Sequence, residues 1–439
     1  MIGLNSTPNT LSSTGGIVLA GKIFSAIEFS TAKPETLPEK YRCVLNTLAG
    51  LQIQGRTRFA EVESFRNDVL FQEAFGLPMI YSPETIRLYL EQGVASHKEQ
   101  MHEFLDTTNL NLLKKATFTP ITTKYGSYIP VDVDVSPFDN CNSHKEGVSR
   151  TYKGHDGFAP IFTYIGSEGY MLDHELRPGK QHSQNGAVQY LQRNIDKLRE
   201  ISLPHPVVIR LDSGHDAFET IQVLSKSNHF FLMKRNLRRE SPKIWIDRAL
   251  SLGNWHEPRP GKRVFIGTWT DDHPGADDSD ELPPFDQVFK VIIRNTDHLG
   301  NPFLFPDTEV EVYWTNLFED PETVINLYHD HGTSEQFHSE LKTDMNIERL
   351  PSGKFAVNEL ILHTAMIAFN TLRFIGQAAM KHSQLLPYRH RGKRKRLRKV
   401  IDDLIRISCK VVTHARKLMI KIWDKDPWYE LFKQLYYQL

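Results

Sequence analysis

Tyr328-His-Asp-His331-Gly-Thr-Ser-Glu335-Gln-Phe-His-Ser-Glu-Leu-Lys342 holds the features around which the rest of the chain is organised. As a helix opening at Thr333 or Ser334, it carries Glu335 in its first turn. Lys342 follows seven residues later, close to two turns, so it falls on the face of Glu335 with His338 between them. Phe337 and Leu341, four apart, fall on roughly the opposite side. One face can enter a core while the other presents a carboxylate and an ammonium in line. A solvated face of an amphipathic helix has the same pattern. Two upstream aspartates, Asp134 and Asp212, weigh against that plainer reading, because each sits in or at the end of an apolar, strand-like run.

The first run, Tyr128 to Val135, alternates as a strand does, and Asp132 and Asp134 share one of its faces. A carboxylate among valines is costly unless it is paired or binds a cation. The second, Pro206 to Asp212, reads as a buried strand ending in an acid, where the loops of a sheet build sites. With Glu335, three carboxylates and no cysteine describe a hard-cation site for Mg²⁺ or Mn²⁺. Two such ions roughly 3.5–4 Å apart would activate a water or hydroxyl and stabilise the leaving oxygen of a phosphodiester. Lys342 would then meet phosphate as a point charge. Ion pairs are an equal alternative: Asp212 with Arg210 or Arg235, and Glu335 with Lys342.

A chain of 439 residues implies two or three domains. Its 53 Lys and Arg balance 53 Asp and Glu, but the charge is segregated. From Arg389 to Leu439 there are fifteen Lys and Arg against five Asp and Glu, while Asp271 to Asp286 holds seven acids and no Lys or Arg. Cys43, Cys141 and Cys409 form no Cys-x-x-Cys pair, which fits a reducing cytoplasm. Met1 to Thr14 lacks the basic residues of a secretory signal.

Residues 1–115 read as helical. Arg56 to Phe75 has helical spacing and stops at Gly76-Leu-Pro78; Ser82-Pro83-Glu84 then caps a second helix. This is either a helix-turn-helix, with Arg87 near the start of the groove-entering helix, or a plain helical bundle. Residues 116–235 read as strands and helices of a mixed sheet, 236–312 as a β-rich insertion separate from that sheet, and 313–380 as its helical second part. Ala356 to Ile375 approaches membrane-spanning length, but its regular polar residues make it a buried core helix. Residues 381–439 read as a basic helical region, with a helix over 401–423. Eight of the eleven residues from Arg389 to Lys399 are basic, among them Arg394, Arg396 and Arg398, and suit phosphate neutralisation. Trp245, Trp255 and Trp269 are either stacking platforms or, more commonly, the core of a small β-unit. His329, His331 and His338 lack a fourth ligand for zinc.

Tyr328-x2-His331-x3-Glu335-x6-Lys342 resembles the Tyr-x2-Arg-x3-Glu-x6-Lys signature of bacterial insertion-sequence DDE transposases. Val131-Asp-Val-Asp134-Val-Ser-Pro-Phe-Asp-Asn140, Lys145-Glu-Gly147, Tyr152-Lys-Gly154, Gly157-Phe-Ala-Pro160, Leu176-Arg-Pro-Gly179 and Arg210-Leu-Asp212-Ser-Gly214 narrow it to the insertion-sequence family numbered thirteen-eighty. The resemblance implies an α/β fold with an RNase H-like mixed sheet flanked by helices and a β-rich insertion between the second and third acids. Carried over by position, it makes Asp134, Asp212 and Glu335 the catalytic and metal-holding acids. Tyr328, His331 and Lys342 become the accessory, DNA-facing positions, although His331 stands where the signature has Arg and lacks its bidentate fork. It further implies double-stranded DNA as partner (terminal repeats and target), a homodimer on paired ends, and cleavage followed by strand joining. A nuclease without joining and an inactive DNA-binding relic are the alternatives.

Overall fold

The computed structural model describes residues 10–30, 37–237, 240–252, 254–273, 285–389, 392–415 and 417–439. Most of the acidic loop, at 274–284, and residues 390–391 of the basic run lie outside them. The architecture is mixed α/β, a large mixed sheet flanked by helices.

Ser127–Val135 is an interior strand, third from one edge of the sheet, with Ile129, Val131, Val133 and Val135 buried on one face and Tyr128, Pro130 and Asp132 buried on the other. It pairs in parallel with Val207–Leu211, which pairs in parallel with Phe230–Lys234. Helices Ala187–Glu200 and Phe218–Ser225 provide the connections that return the chain for these parallel strands. On the other flank Ser127–Val135 pairs antiparallel with Ile161–Ile165, which turns through Gly166 and Gly169 into Tyr170–Glu175. Gly169 has φ +71°, and a Cβ there would stand 2.2 Å from the Phe337 ring. That turn and the helix bearing Glu335 are therefore packed too closely for any side chain.

Residues 236–312 do not form a separate unit. After the helix Pro242–Leu252 come four antiparallel strands, Asn254–Arg259, Lys262–Asp271, Phe285–Thr296 and Pro302–Thr315. The last is long enough to pair along Phe285–Thr296 and, at its inner end, also with Phe230–Lys234, setting Thr315 against Leu232. The insertion thus extends the sheet to ten strands. Asp216 fastens it to the turn after Asp212, accepting from the Trp314 indole at 3.0 Å and the Asn236 amide at 2.6 Å.

Phe355–Lys381 is a buried core helix, packed against Glu39–Gln52, Pro83–Lys115 and the edge strand Tyr170–Glu175. Its most apolar window is long enough to cross a membrane, yet 83% of that window is buried within the fold. Its polar residues find partners there, and Asn370 bonds both Asn109 and the Met171 backbone at 2.7 Å. The expected helix over 56–75 is a 3-10 turn, Phe59–Phe65, and a short helix, Val69–Ala74. Ser82 caps the next helix through the Thr85 amide, with Pro83 in its first turn, but that helix runs to Lys115 and packs as part of a bundle.

The C-terminal region differs most from the expected helix over 401–423. Cys409–His414 and Lys417–Ile422 form a hairpin, extended by Thr10–Ser12, before a final helix, Tyr429–Gln438. Lys417, Met419 and Lys421 alternate with Leu418, Ile420 and Ile422, which is a strand pattern. Two lysines four apart satisfy the helical period equally well, and the β-branched residues decide for strand.

Candidate active site

Asp134 and Asp212 come together through the parallel register. Val133 lies against Leu211, so Asp134 continues alongside Asp212, on strands about 4.8 Å apart. Asp134 Oδ2 accepts from His338 Nε2 at 3.2 Å. Asp212 Oδ1 accepts from the Gly214 amide at 3.1 Å and lies 2.7 Å from His215 Nδ1. Among the described residues, these bonds leave Oδ1 of Asp134 and Oδ2 of Asp212 unengaged. Burial works to raise the Asp134 carboxyl, but the His338 hydrogen bond and the nearby charges of His338, His331 and His215 prevail, so it is held below the usual range. Neither ion pair foreseen for Asp212 forms: Arg210 binds Asp132, and Arg235 binds Glu240 and Gln287.

Asp132 has a different role from Asp134. It is 3% exposed, accepts from Arg210 Nε at 2.6 Å and Nη2 at 2.8 Å, and meets His331 Nδ1 at 2.8 Å. Arg210 also donates to the Leu327 carbonyl at 2.6 Å. The network ties two sheet strands to the segment that leads into Glu335. Burial opposes charge here, yet Arg210 and His331 hold the Asp132 carboxyl low, and Asp132 holds the His331 imidazole above its usual value. His331, expected to face DNA, is therefore a buried partner of Asp132. Tyr328 is half-buried and packs on Tyr313, with ring centroids 4.6 Å apart.

Glu335 lies exposed in the first turn of the helix Ser334–Ser339. That helix passes into a π-helical turn, Glu340–Asp344, so Lys342 does not stand two α-turns along the face of Glu335. Instead Lys342 Nζ donates to the Pro137 carbonyl at 2.7 Å, next to the Asp134 strand. Burial, then the like charge of Lys153, lowers its pKa to about 8. The expected Glu335–Lys342 pair is absent among the described residues.

The Glu335 helix is held from behind. Glu340, 2% exposed, meets Arg373 of the core helix at 2.9 Å and Arg394 at 3.3 Å. Arg396 grips Asp344 at 2.8 and 3.0 Å, and Arg398 reaches the Thr343 carbonyl at 2.9 Å. Part of the basic run is therefore folded onto this helix, while Lys393 and Lys399 stay exposed. Arg87 is exposed, its guanidinium 5.5 Å from the Phe59 ring centroid.

Tyr152, His215 and His338 were not foreseen as site residues. Burial raises the Tyr152 phenol, and the charges of Asp134, Asp212 and Glu335 raise it further. The charges of all three acids thus reach one tyrosine, which no periodicity marks. The acids do not form a closed ligand set, since among the described residues no trio of His, Cys, Asp and Glu is near enough to hold a metal ion. His329, His331 and His338 each lie by a different carboxylate, on Glu311, Asp132 and Asp134. Trp245 is fully buried in the insertion and donates to Glu240 at 2.8 Å.

The family model for "Transposase DDE domain group 1" matches residues 2–439. No curated protein matches the chain. Among solved structures, the cryo-EM structure of a piggyBac transposase synaptic complex with hairpin DNA aligns at 11% identity and a TM-score of 0.41, over 89% of this chain and 80% of that one.

Proposed function

The chain belongs to the group 1 DDE-domain transposases, and from that premise we propose that it binds the ends of its own bacterial insertion sequence, of the family numbered thirteen-eighty, cleaves there, and joins the freed 3′-hydroxyls to target DNA. The observation that carries this reading is the Asp134–Asp212 pair: two carboxylates side by side at the ends of adjacent parallel strands, each with one oxygen unengaged. The strand order, Tyr170–Glu175 outermost through Ser127–Val135 to Phe230–Lys234 with two parallel steps, supports an RNase H-like core.

The donor set is all carboxylate, which fits hard divalent cations, and Asp134, Asp212 and Glu335 would hold Mg²⁺ or Mn²⁺. When bound, such ions supply a more acidic attacking water and charge for the leaving oxygen. The chain's own part is positioning. His338 and His215 fix the rotation of the two aspartates, and the Asp132–Arg210–His331 network fixes their strands against the Glu335 segment. Lys342, with a pKa of about 8, stays largely protonated at neutral pH and would meet a phosphate oxygen. The exposed cations Lys393, Lys399 and Arg87 would meet the duplex backbone, and two copies would act on paired ends in the cytoplasm.

The test is strand cleavage of duplexes carrying the gene's own flanking ends, with Mg²⁺ or Mn²⁺, comparing wild type with Glu335→Gln. Boundary nicks that need both metal and Glu335, followed by joined product, are expected. Nicks without joining would leave a nuclease. His331, buried on Asp132 where the signature has Arg, favours one other reading, a DNA-binding relic, and end binding without cleavage in either metal would establish that instead.

A further inference from the structure

The loop 151–155 supplies none of the three acids, yet its Tyr152 reaches the strand that carries Asp134. It is the tip of a hairpin formed by Ser149–Arg150 and Asp156–Phe158, within a small three-stranded sheet. The tip is rigid. The Thr151 amide and hydroxyl both bond the His155 carbonyl, at 2.9 and 2.8 Å, and the Gly154 amide closes on the Thr151 carbonyl at 3.0 Å. Gly154 takes φ +82°, the left-handed turn position that suits glycine.

At that tip Tyr152 is tethered by its hydroxyl, which donates to the Val135 carbonyl at 3.1 Å, one residue past Asp134. The residue is nevertheless 69% exposed. An aromatic ring with one end pinned and much of its surface in water buries little area, so it adds little to folding. It has also lost its rotamer freedom in advance, which favours its use as a contact surface. Lys153, beside it, is near enough for its charge to act on Lys342. The phenol, raised by burial and by the three acids, remains a neutral donor and adds no negative charge where phosphate must approach.

Resting on the transposase reading, we propose that the Tyr152 ring is a stacking platform for the nucleotide next to the cleaved phosphate, pinned by its Val135 hydrogen bond at a fixed offset from Asp134. The ligand is a nucleobase or the apolar face of its deoxyribose, since either presents a flat surface to a ring while the phosphate turns toward Lys342 and Lys153. Stacking of this kind tolerates any base, so the contact sets position more than sequence.

The experiment uses full-length protein and a duplex of the gene's own flanking end, with 5-iodouracil at the nucleotide beside the element boundary, in EDTA. Light should crosslink that base to Tyr152. Tyr152→Leu should bind the same duplex roughly 10- to 100-fold more weakly, with an unchanged denaturation midpoint, and Tyr152→Phe, which keeps the ring but loses the Val135 hydrogen bond, should recover only part of the loss. A crosslink mapping elsewhere overturns the proposal, as does wild-type affinity in Tyr152→Leu. The crosslink needs no variant and is read without metal, so it stands apart from cleavage. Failure of wild type to bind the duplex would overturn the transposase reading itself.

Discussion

Asp132 and Asp134 sit two residues apart on one strand face and do opposite work. Asp132 spends both oxygens on Arg210 and one of them also on His331, whereas Asp134 keeps one oxygen unengaged. Replacing one member of a buried ion network leaves uncompensated charge and costs about 3–5 kcal/mol. Asp132→Asn should therefore lower the urea midpoint sharply, while Asp134→Asn should leave the midpoint close to wild type and abolish cleavage. Equal midpoints for the two variants would refute this division. Spacing gave both aspartates the same standing, because period two fixes a face and says nothing of what lies opposite. The signal that separates them is Arg210, which sits at register with Asp132 on the neighbouring strand. That register depends on pairing strands distant in sequence, so Arg210 was legible as a residue but not as a partner. Tyr152 was hidden more deeply, since loops carry no periodicity.

Between elements, the least ordinary seam joins the helix Pro83–Lys115 to the core helix and the edge strand. His102 Nδ1 lies 3.1 Å from His363 Nδ1, His363 Nε2 lies 3.0 Å from Asp106, and the His174 ring stands edge-on to His363 at 4.9 Å. Lys197 reaches Asp106 at 2.6 Å, and Lys98 pairs with Glu359 beside His102. Burial, then the charge of His363, lowers His102 from 6.5 to about 4. The folded chain thus refuses a proton that the unfolded chain accepts. The resulting stability is complete above about pH 6.5 and is lost as pH falls toward 4. Urea denaturation should show a loss on the order of 2 kcal/mol between about pH 7 and pH 5, reduced in His102→Gln. An identical decline in the variant would remove His102 as the cause. At this scale the sheet strands and the core helix could be read ahead, because valine-rich alternation and a 27-residue apolar helix are unambiguous. The C-terminal hairpin could not, because its lysines fit both periods, and the π-turn after Ser339 has no signature of its own.

Across the whole molecule, a neutral total conceals a basic region whose charges divide into two groups. Arg394 and Arg396 are committed to Glu340 and Asp344, and Lys395, 1% exposed, to Asp403. Lys393 and Lys399 face solvent. A cation already paired with a carboxylate is less able to replace DNA counterions, so Lys393→Gln with Lys399→Gln should reduce the slope of log affinity against log salt by about two. Arg396→Gln should change that slope less and lower the denaturation midpoint instead. Equal slope changes would show that the run acts as one undivided tail.

The 14-residue strand Pro302–Thr315 begins at an exposed hairpin tip, with Leu304 91% exposed, and ends hydrogen-bonded on both sides within the sheet that carries the acids. Its ladder with Phe285–Thr296 is continuous from Asp307 to Thr315 and shifts register between there and Pro302. At about 3.4 Å per residue the continuously paired part, Asp307 to Thr315, is a beam roughly 30 Å long, clamped at its inner end and carrying the tip beyond the register shift. A push on the tip is delivered as torque to the strand beside that of Asp212, so whatever grips the tip holds a lever on the alignment of the carboxylates.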